Sequence, residues 1–239
     1  MIGMLRGVIF NVYFLLVSGS TCLVPMKEKV MNILIVGATR GIGRQLLEQA
    51  LASGHAVTAL VRDPRRLATQ HERLRVVQGD ILDSASVALA MAGQDAVCCT
   101  IGVKVPWIRV TVFSEGTKNL LQAMKKTGVQ RLICVTGIGA GDSKGHGGFL
   151  YDRLFYPLLL WPIYADKDRQ ESLIKASDVD WTIVRPGFLT NGPLTKNYRM
   201  LTDMTGVTAG RISRADVAHF FLKELESKQY LRQTPLLTS

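Results

Sequence analysis

The stretch that most constrains this chain is residues 31–47, MNILIVGATRGIGRQLL. Residues 32–36 are a short run of mostly branched apolar side chains, with the length and composition of a buried parallel strand. The run stops at GATRGIG, residues 37–43, after which Ile42, Leu46, Leu47, Ala50 and Leu51 recur at helical spacing. A strand that feeds a helix through a glycine turn aims several backbone N–H groups and a helix N-terminus at one point. A diphosphate binds there without any side-chain cation. Gly37 is expected to allow the sharp turn, Gly41 the close approach of phosphate, and Gly43 the contact of helix on strand.

The remainder of the chain continues the alternation. Strands are predicted at 56–61, 74–80, 95–102, 129–136 and 180–185, and helices at 84–91, 114–127, 167–176 and 214–226. Ser213 is placed to cap the last helix, with Asp216 in its first turn. This order predicts an α/β fold: a doubly wound parallel sheet of the Rossmann type, in a single domain over residues 31–239. Residues 137–148 are glycine-rich, and 150–163 collect Tyr151, Phe155, Tyr156, Leu158, Leu159, Leu160 and Trp161, a run too short to span a membrane. The region 137–165 is expected to be an apolar lid over a substrate crevice, or else a satellite core under a long loop.

With 239 residues, 47% of them hydrophobic, the chain can bury a full core without a disulfide or a metal, and no metal site is expected. Cys98, Cys99 and Cys134 lie in apolar strand runs; the adjacent pair faces opposite ways, which suits reduced thiols in a cytoplasmic protein. The formal charge of +10 favours an anionic partner: nucleic acid, a membrane surface or a phosphorylated small molecule. Basic residues are not clustered with aromatics, which argues against nucleic acid. Residues 1–30 read differently. Arg6, an apolar run at 8–17 and a small-residue stretch ending at Cys22 imitate a signal peptide. The favoured expectation is a tail, or a start-site artefact ahead of Met26 or Met31, rather than a membrane anchor through residues 8–17.

The end of the second strand is where dinucleotide folds select their cofactor: an acidic residue binds free ribose hydroxyls, and arginine suits a 2′-phosphate. Arg62 stands there, and Arg40 with Arg65 or Arg66 could complete a phosphate clamp, which points to NADP(H); Asp63 offers the alternative ribose ligand. Asp80 closes the third strand, placed to cap the following turn or to sit beside an adenine ring.

Seven segments carry a resemblance. They are GATRGIG at 37–43, LVRD at 60–63, GDILD at 79–83, AGQDAV at 92–97, SEGTKNLLQAMKKTGV at 114–129, DWTIVRPG at 180–187 and GPLT at 192–195. On these the chain resembles the atypical short-chain dehydrogenase/reductase superfamily, specifically the NAD(P)H-binding group that contains biliverdin-IXβ reductase (flavin reductase) and NmrA-like proteins. The resemblance implies that Gly37, Thr39, Arg40, Gly41, Ile42 and Gly43 hold the diphosphate, Arg62 and Arg66 the 2′-phosphate, and Asp80 and Ile81 the adenine. It further implies Thr100, Ile101, Gly102, Thr136 and Lys167 around the nicotinamide ribose, and Pro186, Gly187 and Phe188 on the nicotinamide face. Three positions depart from the pattern: Arg40 where relatives often have glycine, Gly137 where the flavin reductase branch has serine, and Phe188 where it has histidine.

Ordinary short-chain dehydrogenases use a YxxxK pair, whose lysine lowers the tyrosine pKa so that the phenol protonates a carbonyl as hydride arrives. Residues 164–167, YADK, are one residue short of that spacing, yet in a helix both spacings share a face. Tyr164 and Lys167 are therefore the candidate catalytic pair, provided that the helix reaches back to Tyr164. Lys167 and Glu171 read either as a ribose-binding arrangement or as an i,i+4 surface ion pair. The function implied is an NADPH-dependent oxidoreductase that passes hydride to a small conjugated acceptor of the flavin, quinone or tetrapyrrole type. The alternative is a non-catalytic NADP(H)-binding sensor or assembly factor that holds a protein through residues 149–163.

Overall fold

The computed structural model describes residues 29–103 and 110–239, so the readings made for residues 8–17 and Cys22 lie outside the described residues. The chain runs β1 (Asn32–Val36), α1 (Gly41–Ala52), β2 (Ala56–Val61), β3 (Leu74–Gln78), α2 (Ser84–Met91), β4 (Ala96–Cys99), α3 (Val112–Thr127) and β5 (Arg131–Val135). It continues through a π-helix (Tyr151–Leu160), α4 (Trp161–Lys175), β6 (Asp180–Pro186), β7 (Phe188–Thr190), β8 (Arg199–Leu201), β9 (Arg211–Ser213), α5 (Arg214–Ser227) and β10 (Leu236–Thr238). One sheet has the order β3-β2-β1-β4-β5-β6-β10-β8, parallel except where β8 meets β10, and β7 pairs with β9 beside it. The expected doubly wound Rossmann fold is therefore present.

The sequence of each strand explains its burial. Ile33, Ile35 and Cys98 pack beneath α1 and α5, whereas Leu34, Val36, Val97 and Cys99 pack beneath α2, α3 and α4. Both faces of the sheet are covered, so its strands read as continuous apolar runs rather than alternating ones. Cys98 and Cys99 do face opposite layers, and Cys134 stands opposite Cys99 across the β4–β5 pair. All three are free, buried thiols. The order reverses between β1 and β4, where helices leave on opposite faces and a crevice opens at the strands' C-terminal ends.

Several expectations need correction. Helix α4 begins at Trp161, six residues before the predicted start, because the π-helix runs directly into it. Pro162 occupies the first turn of α4, where a missing N–H is tolerated, and Pro157 lies inside the π-helix. Tyr164 consequently lies on α4. Helix α3 starts at Val112 because the buried carboxylate of Asp166, on α4, accepts the Phe113 and Ser114 N–H groups at 2.9 and 3.3 Å. Helix α2 runs from Ser84 to Met91 as expected, capped by Asp83. The segment 150–163 divides: Tyr151, Leu160 and Ile163 pack into small satellite clusters, as one of the two expectations had it, whereas Leu158 is 70% and Trp161 59% exposed and form part of an apolar ridge. Among the described residues, no helix is long and apolar enough to cross a membrane.

Candidate functional site

A crevice of about 1250 Å³ lies over the β1/β4 switch point. Its floor begins where β1 ends. Gly37 (φ +95°) turns the chain away from β4, and a side chain there would meet the Thr100 carbonyl at 2.8 Å. Thr100 in turn donates from its hydroxyl to the Val36 carbonyl at 2.9 Å, which ties the ends of β1 and β4 together. Gly43 is buried behind the turn, where an added Cβ would stand 2.2 Å from the Gly37 carbonyl oxygen. Gly41 (φ +62°) has room on its crevice side, its nearest neighbour being the Arg214 side chain. No side chain caps the N-terminus of α1. The result is a glycine cradle with uncommitted helix N–H groups facing open space, the arrangement a diphosphate requires.

Of the residues expected at a cofactor, Gly37, Thr39, Arg40, Gly41, Ile42, Arg62, Arg66, Asp80, Ile81, Thr100, Ile101, Gly102, Thr136, Lys167, Pro186, Gly187 and Phe188 all line this one crevice, as does Tyr164. Gly43 alone stands behind its wall. Arg40 donates to the Gly102 carbonyl at 3.2 Å and so bridges the rim. Asp80 accepts the Leu82 N–H at 3.0 Å, capping the turn while also lining the crevice. At the end of β2, Arg62 and Arg66 are exposed on the rim. Asp63 lines the same crevice and is held by the exposed Arg65 through Nε at 2.9 Å and Nη2 at 3.2 Å, a pairing that lowers its pKa.

The other end of the crevice is built by α4 and the loop after β5. Lys167 donates to the Thr136 carbonyl, and its ammonium lies 5.2 Å from the centroid of the Phe113 ring. Burial pushes its pKa down to about 8, against the pull of the neighbouring thiols and Glu171. Tyr164 and Lys167 share one face of α4, the ammonium 5.7 Å from the phenol ring. Glu171 does not form the surface pair that its spacing allowed. It is buried, accepts the Thr136 hydroxyl at 2.8 Å, and holds the fully buried Arg185 at 2.6 Å, which also meets Asp142. This network fixes the Thr136 carbonyl on which Lys167 rests.

Arg214 and Tyr151 are among the crevice residues that sequence reasoning missed. Arg214, the first residue of α5, reaches over Gly41 and donates to Asn191 at 2.8 Å; its signal was a basic residue directly after a capping serine. Tyr151, counted only among the apolar residues, turns inward from the π-helix. Its hydroxyl lies 2.9 Å from that of Tyr164 and donates to the Ile138 carbonyl at 3.1 Å, and its ring meets Phe188 edge-on at 5.3 Å.

Comparison with known proteins agrees with this geometry. The model of a family described as NAD(P)H-binding matches residues 37–228. The chain belongs to that family. It is 32% identical over 212 residues to an uncharacterised chloroplastic protein of Arabidopsis thaliana, covering 82% of this chain and 72% of that one. It is 25% identical to the photosystem II assembly factor Ycf39 of Synechocystis, over 85% of this chain and 61% of the relative. Among solved structures, ChuY of Escherichia coli O157:H7, an anaerobilin reductase, superposes with a TM-score of 0.73 at 25% identity, over 87% of this chain and 96% of that one. A short-chain dehydrogenase/reductase of Veillonella parvula in complex with NADP shares the fold, with a TM-score of 0.74 at 18% identity, over 88% and 95% of the two chains.

Proposed function

We propose that the protein is an NADPH-dependent oxidoreductase that delivers hydride to a small conjugated acceptor of the flavin, quinone or tetrapyrrole type. The observation that carries this reading is convergence: the glycine cradle, the arginines at the end of β2 and the Tyr164–Lys167 pair open onto one crevice. NADPH, when bound, supplies the hydride.

The chain's own residues do the rest. Gly37, Gly41 and the N-terminus of α1 receive the diphosphate, with Arg40 and Arg214 beside it. Arg62 and Arg66 meet the 2′-phosphate, and because Arg65 already occupies Asp63, the carboxylate that would favour NAD(H) is engaged. Lys167 holds the ribose end, positioned by Thr136. Phe188, Ile101 and Val112 supply apolar walls that exclude water from a planar acceptor. The fold shared with a reductase, ChuY, supports reduction as the reaction. Buried reduced thiols suit a reducing compartment, as the cytoplasm would be.

The test is NADPH consumption with a panel of flavins, quinones and linear tetrapyrroles. Turnover with at least one class is expected. Tight NADPH binding with silence across the panel would overturn the reading and favour the other one, an NADP(H)-responsive assembly factor. The exposed apolar side chains of Phe149, Leu150, Leu154, Phe155, Leu158 and Trp161, together with the likeness to Ycf39, supply that alternative's support.

A further inference from the structure

We infer that Tyr151 and Tyr164 form one acid unit, in which Tyr164 protonates a carbonyl oxygen and Tyr151 supplies the hydrogen bond that stabilises the phenolate left behind. The inference rests on the reductase reading and narrows the acceptor to a conjugated carbonyl compound, a quinone or an enone.

Three observations carry it. The two phenol oxygens are 2.9 Å apart, inside the crevice wall and next to the Lys167 ammonium. The Tyr151 hydroxyl has one proton, and both the Ile138 carbonyl, at 3.1 Å, and the Tyr164 oxygen are within its reach. Rotation of a single hydroxyl therefore redirects that donor from a backbone carbonyl to a phenolate, with no movement of heavy atoms. Finally, the β5 loop offers no hydroxyl of its own. Gly137 stands where a Cβ would lie 3.2 Å from the Tyr164 oxygen, the Thr136 hydroxyl is turned to Glu171, and the Ser143 hydroxyl donates to Ala140 at 2.6 Å. The second hydroxyl at this point comes from the π-helix instead.

The step balances. A hydride from the reduced nicotinamide forms the new bond at the acceptor carbon or its conjugate position, and the Tyr164 proton goes to the carbonyl oxygen. The nicotinamide leaves oxidised by two electrons, and solvent reprotonates the phenolate. A flavin acceptor takes its proton from solvent and does not need the unit. The groups whose charge acts on Lys167, the cation beside Tyr164, are Glu171 on the same helix, Cys99 on β4 and Cys134 on β5.

Tyr151→Phe tests the proposal, because it removes only the hydroxyl and leaves the ring on Phe188. The first readout needs no turnover: ultraviolet difference titration of tyrosinate in the cofactor-free protein. The step that disappears in Tyr164→Phe should move up by about one pH unit in Tyr151→Phe, the size expected for losing a hydrogen bond to a charged group. An unmoved step would overturn the proposal. The second readout is kinetic. With a quinone or enone, kcat should fall about tenfold in Tyr151→Phe while the KM for NADPH stays within about twofold. A native enzyme active on such acceptors, with Tyr151→Phe indistinguishable from it, would overturn this inference alone. Native activity confined to flavin would overturn the choice of a carbonyl acceptor. Silence with every acceptor would overturn the reductase reading together with it.

Discussion

Gly43→Ala puts the cradle under direct strain. The added methyl would sit 2.2 Å from the Gly37 carbonyl oxygen and 2.4 Å from the Thr100 hydroxyl. An ordinary contact needs 3.4 Å, so α1 must back away from the β1 turn by about 1 Å. Overpacking of that kind costs ~1–3 kcal/mol. The Thr100–Val36 hydrogen bond lies in the path of the shift, and its loss adds about 1 kcal/mol. The better helix propensity of alanine offsets about 1 kcal/mol. The net expectation is ~1–3 kcal/mol of lost stability in urea unfolding, with NADPH affinity lowered about tenfold because the helix N-terminus no longer faces the diphosphate. Gly41→Ala is the contrast: its nearest neighbour is a side chain at 3.7 Å, so only the φ of +62° opposes it, at ~1–2 kcal/mol. If Gly43→Ala leaves both the unfolding midpoint and NADPH affinity unchanged, the tight cradle is refuted.

Further outcomes follow from the same geometry. Arg62→Asp should weaken NADPH binding ~10–100-fold while barely affecting NADH, the loss expected of a charge-assisted phosphate contact; equal losses measured by fluorescence titration would refute the clamp. Glu171→Leu leaves the buried Arg185 without its principal partner and should cost ~3–5 kcal/mol in chemical unfolding, whereas a neutral result would show that the network is dispensable. For Lys167 the sign is set by its depressed pKa. Between pH 8 and 10.5 the unfolded chain holds this proton and the folded chain releases it, so stability rises with pH in that window. Lys167→Met removes that rise, up to ~1.4 kcal/mol per pH unit, in paired unfolding curves at the two ends of the window; identical slopes in native and variant would contradict the assignment.

The fold was legible because its signals are local. Residues 32–36 and 56–61 are apolar throughout since both faces of the sheet are covered, and glycines mark the turns between elements. The cofactor half of the crevice was equally legible, for its glycines and Arg62 follow one another along β1, α1 and β2. What escaped notice depends on distant contacts. The start of α3 is set by Asp166, fifty-two residues beyond Ser114. The extension of α4 back to Trp161 was hidden by two prolines that a π-helix and a first helical turn accommodate. The GPLT segment proves to be a tether: the Asp216 carboxylate accepts the Thr195 and Lys196 N–H groups, each at 2.8 Å, and so fastens that loop to α5. Tyr151 was read as apolar filling because nothing in its neighbourhood in the chain announces Tyr164.

A reductase must pass hydride from NADPH to an acceptor within this crevice. The most direct measurement supplies NADPH deuterated at the transferring position of the nicotinamide, together with a quinone or enone, and analyses the reduced acceptor by mass spectrometry under conditions of enzyme-dependent turnover. Stereospecific labelling is predicted: deuterium from one face of the nicotinamide reaches carbon or oxygen of the acceptor directly, and for an enone it is retained in the product. Enone product formed without deuterium from either face, or labelled NADPH that stays bound and unoxidised with flavins and tetrapyrroles as well as with quinones and enones, would contradict hydride transfer in this crevice.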